Sequence, residues 1–464
     1  MVNYFGAVDH RPLSEEFPLG DGFLERFRRL SRDELFHRQN LRFRRVMRRA
    51  WQIPFYARRY RAAGVEPRDI RGIEEIGLLP TFSKADIMDS IARCPPFGDF
   101  HGIETMRSGA RRVPVILHTT SGTTGDPQVL LFGPKSREVQ NLLLARAYLF
   151  QGLRDEDVIH SVYGFGMING GHYIREAVLH WTGAILVPAG TGNETPSQQQ
   201  VRLMRDFGVT VIVGFADYIR RLAMIARESG IVPGRDIRPR LIIGHLGRED
   251  RAALSEAWGG AELFDWYGVG DTGLIAAEGP DHSGLYVMED AHYLEMADVD
   301  SGAPAADGMP GDMLVTALFK DDIYPIIRFN THDVSAFETG RSPLGLNLRR
   351  IRGFLGRSDN MVKIRGINIF PQAIGPLLDE IEAFTGEFIC RATRDESGRD
   401  VLAVVVELRG DAATRRNLAT RLGEILRQKL GIDLTIEAVA PGELAPLTGI
   451  ESRQKPIRLI DRRF

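Results

Sequence analysis

Cysteine is nearly absent: the 464-residue chain carries only Cys94 and Cys390. Two thiols so far apart exclude a disulfide framework and a cysteine-rich zinc cluster, and they fit a reducing compartment. Charge of one sign is missing too. Lys and Arg number 59 against 61 Asp and Glu, so no nucleic-acid surface and no acidic tail is expected. No apolar run approaches the length of a membrane span. The first residues carry Asp9, Glu15 and Glu16 in place of an apolar block, unlike a secretory signal. These absences predict a cytoplasmic globular chain that neither enters a membrane nor binds nucleic acid. Its length allows a large core and two or more domains.

Within these limits the chain has a clear texture. From about Glu25 to Ala63 it is Arg-rich with apolar residues at helical spacing, and Arg42, Arg44, Arg45, Arg48 and Arg49 read as a solvated helix face. The middle alternates apolar runs (Val158–Val162, Ala184–Val187, Val209–Gly214, Leu241–Gly244) with helix-like stretches such as Gln200–Phe207 and Tyr218–Ser229. That alternation predicts an α/β architecture with mostly parallel strands. Beyond about Arg357 an apolar strand at 401–408, a helix carrying Leu418, Leu422, Ile425 and Leu426, and an alternating strand at 432–438 predict a small α+β domain.

Five segments carry chemistry. After the apolar run Val113–Leu117 comes Thr120-Ser121-Gly122-Thr123-Thr124-Gly125-Asp126-Pro127. Its glycines permit close backbone approach, and its hydroxyls and N–H groups suit phosphate oxygens, although the same composition also makes an ordinary turn. It is not a Walker loop, since no Gly-Lys-Ser/Thr follows. In Asp265-Trp266-Tyr267-Gly268-Val269-Gly270-Asp271 an aromatic ring precedes a carboxylate able to hold Mg²⁺. In Arg328-Phe329-Asn330-Thr331-His332-Asp333 the Asp can accept ribose hydroxyls and the Arg can face a phosphate, while His332 reads as a packing or surface residue. The remaining two are Gly356-Arg357-Ser358-Asp359, running on to Pro371, and Arg453-Gln454-Lys455-Pro456 near the end.

Taken in order, these segments resemble the ANL superfamily of adenylate-forming enzymes, and most closely its phenylacetate–CoA ligase-like branch. Ile53-Pro54-Phe55-Tyr56, Gly64-Val65, Leu79 through Asp86 and Tyr163-Gly164-Phe165-Gly166 extend the likeness over nearly the whole length. The resemblance implies a large N-terminal domain (1–356) of parallel sheets sandwiched by helices and a small mobile C-terminal α+β domain (357–464). It implies ATP, Mg²⁺ and coenzyme A as cofactors, a small aromatic acid as substrate, and a homodimer. Thr120, Ser121, Gly122, Thr123, Thr124 and Gly125 would wrap the ATP phosphates. Tyr267 would stack on adenine beside Asp265, Asp333 would hold the ribose, and Arg357 would contact the nucleotide. Asp271 stands where the family has a Mg²⁺-binding Glu. Asp359 matches the hinge, and Lys455 the lysine that bridges carboxylate and α-phosphate. Tyr163, Phe165, Met167, Phe215 and Leu246 would line the acid pocket, with Asn169 and His172 either reading a ring substituent or serving the structure.

The chain departs from the pattern at Gly270 and Asp271, at Gly244-His245-Leu246-Gly247, at Asn330-Thr331-His332-Asp333 and at Gln454. Thr272 is then the candidate for the hydroxyl lost at Gly270. No cysteines occur in Ala276–Gly284, where some relatives bind zinc, so no such zinc is expected. The expected reaction is acid activation to an acyl-adenylate followed by thioester formation. Transfer to an amine or carrier protein, activation of an unusual oxyacid, and nucleotide binding without turnover stand as alternatives.

Overall fold

A computed structural model describes residues 3–103, 112–120, 128–246, 249–358, 362–364, 367–369, 371, 374–395, 400–430, 432–450 and 456–463. The chain forms two compact units, one of Met1–Asp157, Phe165–Leu186 and Phe264–Gly353, the other of Val158–Gly164, Val187–Leu263 and Phe354–Phe464. Among the described residues no helix is long and apolar enough to cross a membrane.

In the first unit the Arg-rich segment forms three helices, Gly20–Arg29, Arg32–Ala50 and Pro54–Ala62. Ser31 starts the second with a capping box, its side chain accepting from the Glu34 amide while Glu34 reaches back to the Ser31 amide. Pro54 begins the third at a position where its missing N–H costs nothing. The solvated arginine face holds only in part. Arg44, Arg45 and Arg48 are exposed, but Arg42 is buried over the Phe17 ring and pairs with Glu16 at 3.0 Å. Arg49 donates to the carbonyls of Asp322 (2.6 Å) and Gly102 (3.1 Å).

The helix Pro134–Phe150 is buried along almost its full length although it carries Arg137, Glu138, Gln140, Asn141 and Arg146. Such groups remain charged in a core only when partnered. Arg137 pairs with Glu176 at 2.5 Å and Arg146 with Asp290 at 2.9 Å. Glu138 accepts from Tyr4 (2.6 Å), His180 (3.0 Å), Asn141 and Trp181 (both 3.1 Å).

Strand pairing in the first unit is antiparallel: Ile116–Thr119 with Val129–Phe132, Glu262–Val269 with Gly273–Glu278, and Gly311–Ala317 with both His292–Ala297 and Ile326–Ser335. Connections such as the one between Val269 and Gly273 are too short for the crossover that parallel pairing needs. The parallel strands expected from the alternating runs at 158–244 belong to the second unit, where Val158–Ser161, Val211–Phe215 and Leu241–His245 lie side by side. The helices Ser197–Asp206 and Ala216–Glu228 share a core with them through Val201, Met204, Ile212, Ile219, Leu222 and Ile242.

The C-terminal part of that unit is α+β. Phe384–Arg394 runs antiparallel to Asp400–Leu408, and the parallel strands Leu459–Asp461 and Thr435–Val439 flank them. Helix Ala412–Leu430 packs Leu422 and Leu426 against Val404, Val406 and Cys390. Cys390 is buried and Cys94 exposed, both as free thiols.

Candidate functional site

Two antiparallel strands, Ile116–Thr119 and Val129–Phe132, precede and follow the glycine- and hydroxyl-rich segment. Val113–Leu117 was expected as its strand; the strand observed is Ile116–Thr119, paired in register with Val129–Phe132. Thr120 and Gln128 pair just beyond these strands. The Thr120 amide donates to the Gln128 carbonyl at 3.0 Å, and the Gln128 amide donates to Thr120 Oγ1 at 3.1 Å. Ser121, Gly122, Thr123, Thr124 and Gly125 lie outside the described residues, as do Asp359 and Lys455.

Asp271 is buried. Its Oδ1 accepts from Gln128 Nε2 at 2.6 Å and from the Tyr324 hydroxyl at 2.9 Å. Lys320, fully buried over the Tyr324 and Phe132 rings, donates to the Asp271 carbonyl at 2.7 Å. Burial is the main cause of both shifts here, raising the Asp271 carboxyl and pushing the Lys320 ammonium down to about 8. The Thr272 hydroxyl is turned to the Gly273 carbonyl (3.1 Å) with the residue fully buried, so it does not replace the hydroxyl missing at Gly270.

Tyr267 and Asp333 meet directly, the Tyr267 hydroxyl donating to Asp333 Oδ2 at 2.8 Å. Asp265 accepts on its own Oδ1 from the Trp266 amide (2.9 Å), and its backbone is held by Glu278 (2.8 Å) and Gln151 (2.9 Å). Arg328 does not stand free for a phosphate. It pairs with Glu295 through Nε and Nη2, at 3.2 and 3.0 Å, and donates from Nη1 to the Leu79 carbonyl at 2.5 Å. Arg328 and His332 both have positive φ, 54° and 55°. Two such non-glycine residues bracket the approach to Asp333, the kind of backbone strain that gathers at functional sites.

The expected acid-lining residues fall in two places. In the second unit Tyr163 meets Phe215 edge-on at 5.1 Å, and Phe215 stacks on His245 at 4.9 Å. Leu246 is buried in the core with Val162 and Ile219. In the first unit Phe165 meets His172 edge-on at 5.3 Å, and Met167 is half exposed. His172 stacks on His118 at 4.9 Å; burial, with Arg137 and His172 nearby, pushes His118 down to about 4. Asn169 accepts from Arg137 at 2.6 Å and His172 contacts the Gly166 carbonyl at 2.9 Å, so both have structural partners. Arg357 is half-buried in the short strand Gly356–Arg357. Reading the sequence missed Gln128 as a side-chain partner of Asp271, and with it Lys320, Tyr324 and His118. Only their nearness to glycine-rich motifs could have flagged them.

Residues 366–463 match the AMP-binding enzyme C-terminal domain family. The phenylacetate-coenzyme A ligase of Aromatoleum evansii is 28% identical, covering 95% of this chain and 98% of its own. That of Escherichia coli K12 is also 28% identical over 93% and 95%. The chain is thus similar to phenylacetate-coenzyme A ligases over nearly its whole length and to AMP-binding enzymes in its C-terminal part. Among solved structures, a 2-hydroxyisobutyryl-CoA ligase in its postadenylation state superposes on this chain with TM-score 0.80 at 25% identity, covering 93% of this chain and 89% of that one. The same ligase in its thioesterification state superposes with TM-score 0.66 at 26% identity, covering 95% and 92%.

Proposed function

We propose that this protein activates a small aromatic carboxylic acid with ATP and passes the acyl group to coenzyme A. A carboxylate oxygen attacks the α-phosphorus, the bond to the β-phosphate breaks, and pyrophosphate leaves. The thiol sulfur then attacks the acyl carbon of the mixed anhydride, and AMP leaves with the bonding pair. The observation that carries the nucleotide half is the Tyr267–Asp333 hydrogen bond. It joins the ring proposed to stack on adenine to the carboxylate proposed for the ribose. Thr120 and the loop 121–125 are assigned to the phosphates, Asp265 to the adenine edge and Arg357 to the nucleotide. Lys455 is assigned to the charge that gathers as two anions meet.

A Mg²⁺ ion fits Asp271. Its carboxylate is a hard oxygen donor, with Oδ1 accepting from Gln128 and Tyr324. Such a donor suits an ion that takes most of its remaining ligands from phosphates and water. When bound, the ion supplies positive charge against the phosphate oxygens. Gln128 and Tyr324 keep Asp271 turned in one orientation.

Tyr163, Phe165, Met167, Phe215 and Leu246 are carried forward as acid-lining residues, Asp359 as the hinge, and 1–356 and 357–464 as the two domains. Cytoplasmic residence and a homodimer complete the reading, checked by fractionation and sedimentation. The direct test is pyrophosphate release from ATP with phenylacetate, benzoate and hydroxy- and aminobenzoates, with and without CoA. Acid-dependent release that turns over fast only with CoA, and falls about 10²–10³-fold in Lys455→Ala, is the expected result. Release indifferent to CoA redirects the acyl group to an amine or carrier protein. No release with any acid overturns the reading.

A further inference from the structure

Within the second unit, helix Ala216–Glu228 carries Asp217 and Arg220 one turn apart, on neighbouring positions of one face. Each meets an opposite charge from the C-terminal part of the chain. Arg220 donates to Asp379 Oδ1 at 3.2 Å, just after the short helix Gly375–Leu378, and its other arm pairs with Glu249. Arg458 Nη2 lies 3.3 Å from Asp217 Oδ1, a charge contact rather than a hydrogen bond. The charges are therefore crossed, acid and base on the helix facing base and acid on the C-terminal part.

The contact is built from constrained groups. The Arg458 side chain is 5% exposed. It lies over the Phe388 ring and donates to the Phe388 carbonyl at 2.9 Å, with Glu387 at 3.5 Å. Gly386, with φ +93°, brings its backbone against the Arg220 side chain, where an added Cβ would stand 3.6 Å from Nη1. Arg458 also opens onto strand Leu459–Asp461, three residues after Lys455 in sequence.

We propose that Asp217, Arg220, Asp379 and Arg458 are positioning residues that hold the C-terminal part for acyl-adenylate formation, and that both pairs part before the thioester step. The better superposition on the postadenylation state, 0.80 against 0.66 for the thioesterification state, agrees with this assignment. The inference rests on the reaction proposed above. It adds which side chains distinguish the two half-reactions.

The test separates those halves. Acid-dependent ATP–pyrophosphate exchange reports the first, using whichever acid of the panel supports it. Conversion of the chemically prepared acyl-adenylate with CoA reports the second. Arg220→Asp and Asp379→Arg are each expected to lower exchange about tenfold or more while leaving the second half within about twofold, and the double swap is expected to restore exchange. Asp217→Arg, Arg458→Asp and their double swap repeat the test on the other pair.

Equal loss in both halves, no loss in either, or failure of both swaps to restore exchange overturns the proposal. Amide hydrogen exchange across Ala216–Glu228 in the nucleotide-free protein supplies a readout independent of catalysis. It should quicken in each single variant and slow again in each swap; no change also overturns the proposal. Wild-type protein silent in pyrophosphate exchange would defeat the proposed reaction instead, and the amide data would still judge the contact.

Discussion

Gln128 Nε2 donates to Asp271 Oδ1 at 2.6 Å across 143 positions of sequence. Its backbone meanwhile pairs with Thr120. One residue thereby ties the base of the proposed phosphate loop to the proposed metal ligand. Removing the amide in Gln128→Leu leaves Asp271 with Tyr324 as its one side-chain donor among the described residues. We expect the KM for Mg·ATP to rise about tenfold, the worth of one lost hydrogen bond to a buried carboxylate, with a smaller fall in kcat. Steady-state kinetics and Mn²⁺ binding followed by electron paramagnetic resonance check this. A lowered unfolding temperature with unchanged KM and Mn²⁺ affinity would assign Gln128 to packing alone.

The Tyr267–Asp333 pair separates ring from hydroxyl. Tyr267→Phe keeps the aromatic face and loses only the 2.8 Å bond, so ATP affinity should fall by a factor of about 5. Asp333→Ala removes the acceptor proposed for two ribose hydroxyls, and about 100-fold is expected. Isothermal titration with ATP measures both. Equal effects of the two changes would contradict the ribose assignment.

Backbone crowding predicts where a single methyl group is intolerable. Gly214 and Gly244 face each other in register on the parallel strands Val211–Phe215 and Leu241–His245. A Cβ on Gly244 would collide with the Gly214 carbonyl oxygen. Gly244→Ala should cost about 3 kcal/mol, read as a lower denaturation midpoint. Gly423, inside helix Ala412–Leu430, would place a Cβ at an ordinary 3.6 Å from Ile436. Gly423→Ala should therefore be neutral or stabilise by about 0.5–1 kcal/mol.

His180 and Glu138 set a pH window for the first unit. The hydrogen bond that His180 donates to Glu138 raises its imidazole above the ordinary value. Burial works against ionised Glu138, but the donors His180, Tyr4 and Trp181 outweigh it and hold its carboxyl below the ordinary range. The raised base contributes stability that is complete below the ordinary histidine value and is lost as pH climbs through the elevated one. The depressed acid contributes stability that is complete above the ordinary carboxylate value and is lost as pH falls through the lowered one. Thermal unfolding should show a midpoint that declines above pH 6.5. His180→Gln should flatten that alkaline limb and leave the acid limb in place.

The order of the glycine- and hydroxyl-rich segment, the Tyr267 segment, the Asp333 segment and the C-terminal motifs is a property of the sequence, and it pointed to the relatives the chain is similar to. Strands at 158–161, 211–215 and 241–245, and the strand–helix–strand texture after 400, were also legible. Apolar periodicity is local and survives in any tertiary context. The partners of buried charges were not. Helix Pro134–Phe150 shows no clean polar face because nearly all of it is buried and its charges are matched by Glu176, Asp290, Tyr4 and His180. Arg328 reads in sequence as a phosphate contact, yet Glu295, 33 positions away, takes its guanidinium.

The sequence by itself determined the chemistry available: hydroxyls, glycines, a stacking tyrosine, carboxylates and a late lysine, in a set order along the chain. Only the tertiary structure decided which of these groups face one another. It paired the loop strand antiparallel with Val129–Phe132, locked Asp271 between Gln128 and Tyr324, and set Asp217 and Arg220 against Arg458 and Asp379. The physical reason is range. Periodicity and turn composition act over a few residues, whereas ion pairs and buried hydrogen bonds are chosen by packing between segments tens to hundreds of positions apart.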